Sequence, residues 1–176
     1  RLRALLRDER RQRAILLVDR DPDRLLTLTD RVALMKEGRI IATGVTAQIL
    51  GDRALLAEVG AERPLRVQVA EGLAPKSEQA SAAARAVPET SAEPTVSPLL
   101  QLDDVGVSYH HGPPVLDSVH FAMEPGLVHG IVGGAGSGKT TLARVIAGLV
   151  RPERGRVLLE GKDVTQASVA ERLGTV

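Results

Sequence analysis

The chain contains no cysteine. That excludes a disulfide framework and thiolate-ligated metal, zinc on cysteine included, and it suits a reducing compartment. A long hydrophobic run is also missing near the start: AILLV, residues 14 to 18, is far shorter than the about 20 residues a membrane span needs. The same stretch is no secretory leader, because acids interrupt the arginine-rich segment before it and no small-residue cleavage site follows. Surplus charge is lacking as well, and a net charge of +1 argues against a general polyanion-binding surface. Histidine is absent before His110, and the first residue is arginine rather than methionine, so both ends are expected to have been cut from something longer.

What is present allows a real core: 43% of the 176 residues are hydrophobic, enough for one domain or parts of two. Arginine crowds RLRALLRDERRQR, with Leu2, Leu5 and Leu6 on one side. This reads as a solvated helix with a basic outer face, a nucleic-acid or membrane-surface helix being the alternative. AILLV suits a buried parallel strand. DPDRLLTLTD offers an N-cap at Asp21 and proline at N1, predicting a helix to about Thr29. RVALMK and RIIATG flank Glu37-Gly38 and predict a hairpin. Thr46 and Asp52 can each cap a short helix.

From about 63 to 97 the composition turns to Ala, Pro, Ser and Glu, with almost no large apolar residue. Such a segment cannot bury enough surface to offset the entropy of ordering it, so a flexible linker is expected. Strands should follow at LLQLDDVGVSY and VLDSVHFAMEPG. After residue 150, RPERGRVLLEGKDV reads as turn, strand and turn, and GTV as the start of a further strand.

The most informative stretch is GGAGSGKTT, residues 133 to 141, which fits G-x-x-x-x-G-K-[ST] with Gly133, Gly138, Lys139 and Thr140 in place. Its setting strengthens the match. LVHGIV, residues 127 to 132, reads as a short buried strand, and TTLARVIAGL as a helix whose Leu142, Val145, Ile146 and Leu149 make one apolar face. Backbone amides must point at a polyphosphate in such a turn, and side chains would obstruct them. Gly133, Gly134, Gly136 and Gly138 remove the obstruction, with Ala135 and Ser137 between them. Lys139 is placed to offer a point charge to the β- and γ-phosphates of ATP, Thr140 a hydroxyl to Mg²⁺, and Thr141 continues the helix. A glycine-rich strand-to-helix turn that binds nothing is the plainer reading.

The stretch running on from this loop, GLVHGIVGGAGSGKTTLARVIAGLVRPERGRVLLEGKDVT, resembles the head of an ATP-binding cassette (ABC) domain. The likeness includes the run of Gly148, Leu149, Pro152, Gly155 and Val157. Tyr109 sits where that family places an aromatic that stacks on adenine, though a strand-end tyrosine can simply pack. ILLVDRDPDRLLTLTDRVALMKEGRIIATGVTAQIL is similar to the closing stretch of the same kind of domain.

The resemblance therefore implies an α/β architecture, a P-loop NTPase assembled from incomplete ABC nucleotide-binding domains. Residues 1–62 are the tail of one cassette, 63–97 the linker and 98–176 the head of the next. Tandem cassettes of this kind resemble energy-coupling-factor and cobalt-type importers. The implied role is the ATPase component of an importer, cytoplasmic and peripheral on the inner face of the cell membrane. It would be partnered by a transmembrane transporter subunit and by the second cassette of the same parent chain. Its cofactors would be ATP and Mg²⁺, and no nucleic acid is expected. The competing class, a tandem factor acting on the ribosome or nucleic acid, should carry a long basic linker, whereas here Lys76 and Arg85 face Glu71, Glu78, Glu89 and Glu93. A third reading is a fragment that folds poorly.

The departures matter too. The family's switch histidine is replaced by Arg20, either a permanent charge near the γ-phosphate or simply a solvent-exposed residue. The glutamine loop, the signature segment and the catalytic glutamate lie in neither stretch, so no catalytic residue is assigned and the 176 residues alone should bind nucleotide at best. His110, His111, His120 and His129 show no metal-ligand spacing and no acid neighbour. Finally, each piece lacks the strand that would flank it within its own cassette. Residues 14 to 18 are thus expected to pair in parallel with residues 127 to 132, bringing Arg20 near Lys139. The alternative is two halves with those strands unpaired.

Overall fold

A computed structural model describes residues 13–68, 97–109 and 112–173. The expected N-terminal basic helix, residues 69–96 of the expected linker, His110, His111 and the final GTV lie outside the described residues. Two four-stranded sheets organise the rest. The first has the order β1-β6-β2-β3, with β1 at Ile15–Val18, β2 at Arg31–Lys36, β3 at Arg39–Val45 and β6 at Val128–Val132. The second has the order β5-β4-β7-β8, from β4 (Leu100–Ser108), β5 (Pro114–Met123), β7 (Arg154–Leu159) and β8 (Lys162–Asp163).

In the first sheet β6 is central, and both its neighbours come from the other end of the chain. β1 pairs with it in parallel, Ile15 opposite Val128 and Val18 opposite Ile131. β2 lies parallel on its other side, Arg31 opposite His129 and Leu34 opposite Val132. The expected pairing of residues 14 to 18 with 127 to 132 is thus present. All five β6 residues are buried, as a strand covered on both edges and both faces should be. β1 differs from expectation: it is an edge strand with half-buried side chains, and Val18 is 39% exposed.

Helix α1, Pro22–Leu28, starts where Asp21 accepts from the amides of Asp23 and Arg24, with proline in the first turn, and it ends at Thr29. Arg31 to Val45 form the hairpin expected around Glu37-Gly38. Both turn residues have positive φ, 47° and 79°, the geometry whose twist suits a two-residue hairpin. Helix α2, Thr46–Gly51, is not capped by Thr46. Its N-cap is Val45, and the Thr46 hydroxyl is instead engaged 2.9 Å from that of Thr29. Asp52 does cap α3, Arg53–Glu58, accepting from the Ala54 and Leu55 amides. Residues 65–68, assigned to the linker above, form a further helical turn, and Asp23 accepts from the Leu65 amide at 2.8 Å. Helix α4 is Lys139–Ile146 and α5 is Val169–Leu173.

Alternate residues of β2 serve two cores. Val32 and Leu34 face a cluster with Leu25, Ile49, Leu50, Leu56 and Val132. Ala33 and Met35 face a second cluster, shared with Leu102, Val105, Leu116, Val119 and Val157 of the antiparallel sheet and with Leu142 and Val145 of α4. Each fully buried leucine contributes about 1.5–3 kcal/mol. The apolar face expected for α4 is shorter than its sequence pattern. Gly148 adopts φ 76° and the helix stops, leaving Leu149 66% exposed.

A candidate phosphate-binding cleft

β6 delivers the chain to Val132, and α4 begins at Lys139 with Gly138 at its N-cap, φ 99°, a conformation that only glycine adopts freely. Between them the loop is gripped by backbone from elsewhere. A Cβ on Gly133 would stand 2.2 Å from the Met35 carbonyl oxygen, so the loop leaves β6 pressed against the end of β2. The Gly134 amide donates to the Val59 carbonyl at 3.0 Å, and the Gly38 amide at the hairpin tip donates to the Ser137 carbonyl at 3.1 Å. On the far side a Cβ on Gly138 would meet the Val115 carbonyl oxygen at 2.8 Å. Three of these four holds, at Met35, Gly38 and Val59, come from residues 13–68. Sequence reasoning did not find them: the pairs are far apart in the chain and leave no local pattern.

Lys139 is folded back on the loop and buried. Its ammonium donates to the carbonyls of Gly133 at 2.8 Å and Gly134 at 2.6 Å and to the Ser137 hydroxyl at 3.1 Å. Burial, and secondarily the charge of Arg20, pushes its pKa down. A ligand reaching this ammonium must exchange those three bonds for its own.

A cleft of about 410 Å³ opens beside the loop. Val18, Asp19 and Arg20 at the end of β1 form one wall, Val115 of β5 another, and residues 136 to 141 the floor. The cleft is therefore built from both parts of the chain, and Arg20 comes to the same cavity as Lys139, as expected. Asp19 does not neutralise it. Its carboxylate accepts from the Arg20 and Asp21 amides and pairs with Arg24 at 2.9 Å. The Arg20 guanidinium has no ion-pair or hydrogen-bond partner among the described residues.

The cleft-lining candidates are Gly136, Ser137, Gly138, Lys139, Thr140 and Thr141. Gly133 and Gly134 lie behind them as Lys139's acceptors, and Ala135 is exposed on the loop. Tyr109 does not line the cavity. It stands 40% exposed, with its hydroxyl 3.5 Å from that of Thr141. Among the described residues no group of three or more His, Asp or Glu is placed to hold a metal ion. The histidines do have acid neighbours that the sequence did not suggest. His120 lies 3.4 Å from Asp103, and buried His129 lies 3.1 Å from Glu124.

The cavity suits an anion with several oxygens. A side chain on Gly133 or Gly138 would collide with neighbouring backbone, so the loop stays bare, and two cations meet without a free carboxylate between them. No described helix is long and apolar enough to cross a membrane.

Residues 116–176 match the model of the ABC transporter family. The mycobactin import ATP-binding/permease protein of Mycobacterium tuberculosis is 50% identical over 70 residues, 39% of this chain and 12% of that protein. A putative ABC transporter ATP-binding protein of Enterococcus faecalis is 29% identical over 189 residues, covering 95% of this chain and 32% of its own length. The ribose import ATP-binding protein of Rhizobium johnstonii is 40% identical over 74 residues, 42% of this chain and 14% of its own. The chain thus spans between about an eighth and a third of these relatives. A solved nucleotide-free ATP-binding cassette from an ABC transporter is 33% identical, covers 44% of this chain and 30% of that one, and superposes with a TM-score of 0.43. The likeness to the ABC transporter family therefore runs from Leu116 through the glycine-rich loop and α4 to residue 176.

Proposed function

We propose that this chain carries nucleotide-binding parts of an ABC transporter, coupling ATP binding and hydrolysis in the full-length parent to import across a membrane. The observation that carries the reading is the cleft itself. A bare glycine loop opens α4, and Lys139 and Arg20 converge on one cavity from opposite ends of the chain. Lys139 and the loop would hold the β- and γ-phosphates, with Ser137, Thr140 and Thr141 around them. Thr140 would ligate Mg²⁺, which supplies charge neutralisation across the phosphate oxygens when bound. Tyr109 is offered as the adenine contact. Arg20 would add a charge that does not titrate near neutral pH.

The tandem arrangement is supported by the Enterococcus faecalis relative, which aligns with 95% of the chain as one stretch and therefore carries counterparts of both parts in the same order. Its transmembrane partner, a second cassette in the same parent and a place on the cytoplasmic face of the membrane belong to this proposal. Relatives named as import ATP-binding proteins favour the transporter over a ribosome- or nucleic-acid-directed factor. Among the acids after Thr140, Asp163 is bound to Thr165 and Glu171 to the Ser168 amide, both outside the cleft, so negligible turnover is expected from these 176 residues.

Calorimetry with Mg-ATP tests the reading. Lys139→Ala should abolish binding, and Arg20→Gln should weaken it severalfold, the scale of one partly exposed charge pair. Unchanged affinity in Lys139→Ala would refute the assignment. If Arg20→Gln alone is silent, Arg20 is a solvent-exposed bystander. Phosphate release that disappears with Lys139→Ala would show that a catalytic acid has been overlooked.

A further inference from the structure

Helix α4 has a charged group at each end. Lys139 opens it; Arg172, from α5, closes it. The Arg172 guanidinium is buried, 6% exposed, and its Nη1 donates to the carbonyls of Val145 at 2.7 Å and Ile146 at 3.0 Å, the last turn of α4. Its Nη2 donates to the Thr165 carbonyl at 3.3 Å, and its Nε is buried with no hydrogen-bond partner. Every acceptor it has is a neutral carbonyl, and among the described residues no carboxylate pairs with it. A guanidinium withdrawn from water in this way is costly unless something else compensates its charge. The negative end of α4 does so, because unsatisfied carbonyls there carry the partial charge of the helix dipole.

Thr165 is itself fixed: its hydroxyl accepts from the Val157 amide at 2.9 Å and donates to Asp163 at 2.5 Å. Arg172 thereby ties the C-terminal end of α4 to the β7–β8 hairpin of the antiparallel sheet. The helix has only eight residues, about 12 Å, so a tilt or fraying at its end moves the loop at its start. Gly148 makes room for this arrangement, since a Cβ there would meet Arg172 Cδ at 2.9 Å.

We propose that Arg172 is a positioning residue for the phosphate loop, holding α4 at the angle and with the polarity that the anion at its opposite end requires. The role rests on the phosphate-binding reading above, but its physical content, a loop held by a charge at the far end of its helix, does not need a nucleotide to be observed.

The experiment compares Arg172→Met, Arg172→Lys and Leu102→Ala in the 176-residue chain. Leu102 is 1% exposed in β4, in the core cluster that α4 joins through Leu142 and Val145, and lines no part of the cleft, so its truncation supplies a global loss of packing that leaves Arg172 and its carbonyl acceptors in place. Two readouts are taken where circular dichroism shows all three folded: hydrogen exchange of residues 136 to 146 in nucleotide-free protein, and calorimetric Mg-ATP affinity. Arg172→Met should speed exchange in that segment about tenfold beyond Leu102→Ala and weaken ATP by a similar factor, with Arg172→Lys between. Exchange and affinity in Arg172→Met no different from Leu102→Ala would overturn the proposal. If Arg172→Met does not fold, the same comparison is decided by Arg172→Lys, which keeps the charge and loses the two-pronged hold. Altered exchange in a chain whose wild type binds no ATP would sink the nucleotide reading and leave the positioning role standing.

Discussion

The two sheets were assembled in different ways. The antiparallel sheet takes all four of its strands from residues 100–163, and each pairs with a strand close to it in that stretch. The sheet that carries the phosphate loop takes only β6 from that part of the chain and three strands from residues 15–45. One sheet is self-sufficient; the other exists only where the two parts meet. The loop sits at that meeting line, which is why Met35, Gly38 and Val59 hold it. The site is therefore expected to be more sensitive to injury in residues 13–68 than its own sequence motif implies.

The largest expected effect is on the shared core. Leu34 is fully buried and packs among Leu25, Val32, Ile49 and Val132, so Leu34→Ala should cost about 2–5 kcal/mol. Leu102→Ala should cost a similar amount, but only Leu34→Ala should also expose the β6 amides to early exchange. Equal β6 protection in the two variants would break the distinction between the sheets.

Next comes pH. His129, on the central strand, accepts from the Glu124 amide at 3.2 Å, and burial first, then Arg31, holds its pKa below the usual value against the opposing pull of Glu124 and Asp30. A depressed histidine disfavours its proton in the fold. Its contribution is thus fully present above the unfolded value of about 6.5 and is lost as pH falls below it. Melting temperature should decline below about pH 6.5, and His129→Gln should flatten that decline. Asp117, chiefly through Arg39, and Asp163, through Thr165, are shifted down as carboxylates, so their loss belongs to a separate window below about pH 4. A wild-type profile level from pH 7 to 5 would show that His129 is not so held.

The smallest effect is at the surface. Arg39 of the hairpin meets Asp117 of β5 across the line between the two parts. The pair is exposed, and Arg39→Ala should change stability by about 1 kcal/mol or less in thermal unfolding. A larger loss would mean the charge lattice of Arg39, Asp117 and Arg154 carries more of the docking than the apolar core does.

Local signals in the sequence located most elements. Asp21 with Pro22, the Glu37-Gly38 turn and the unbroken apolar run of β6 each have a short-range cause. The glycine-rich turn from β6 into α4 was legible for the same reason, and the β1–β6 pairing followed from the family resemblance, not from pattern. What escaped depends on neighbours distant in sequence. Thr46 looks like a cap until Thr29 takes its hydroxyl, and Leu149 looks like core until Gly148 ends the helix. The hold on the loop by Val59 and the burial of Arg172 leave no mark on adjacent residues.

The most direct test of the shared sheet is to place a protease site within residues 69–96, cut the chain, and pass it over a sizing column without denaturant. The two pieces should elute together, melt in one transition, and retain whatever ATP affinity the uncut chain has. Pieces that elute apart while the C-terminal one still binds ATP would contradict a phosphate loop held by residues 13–68.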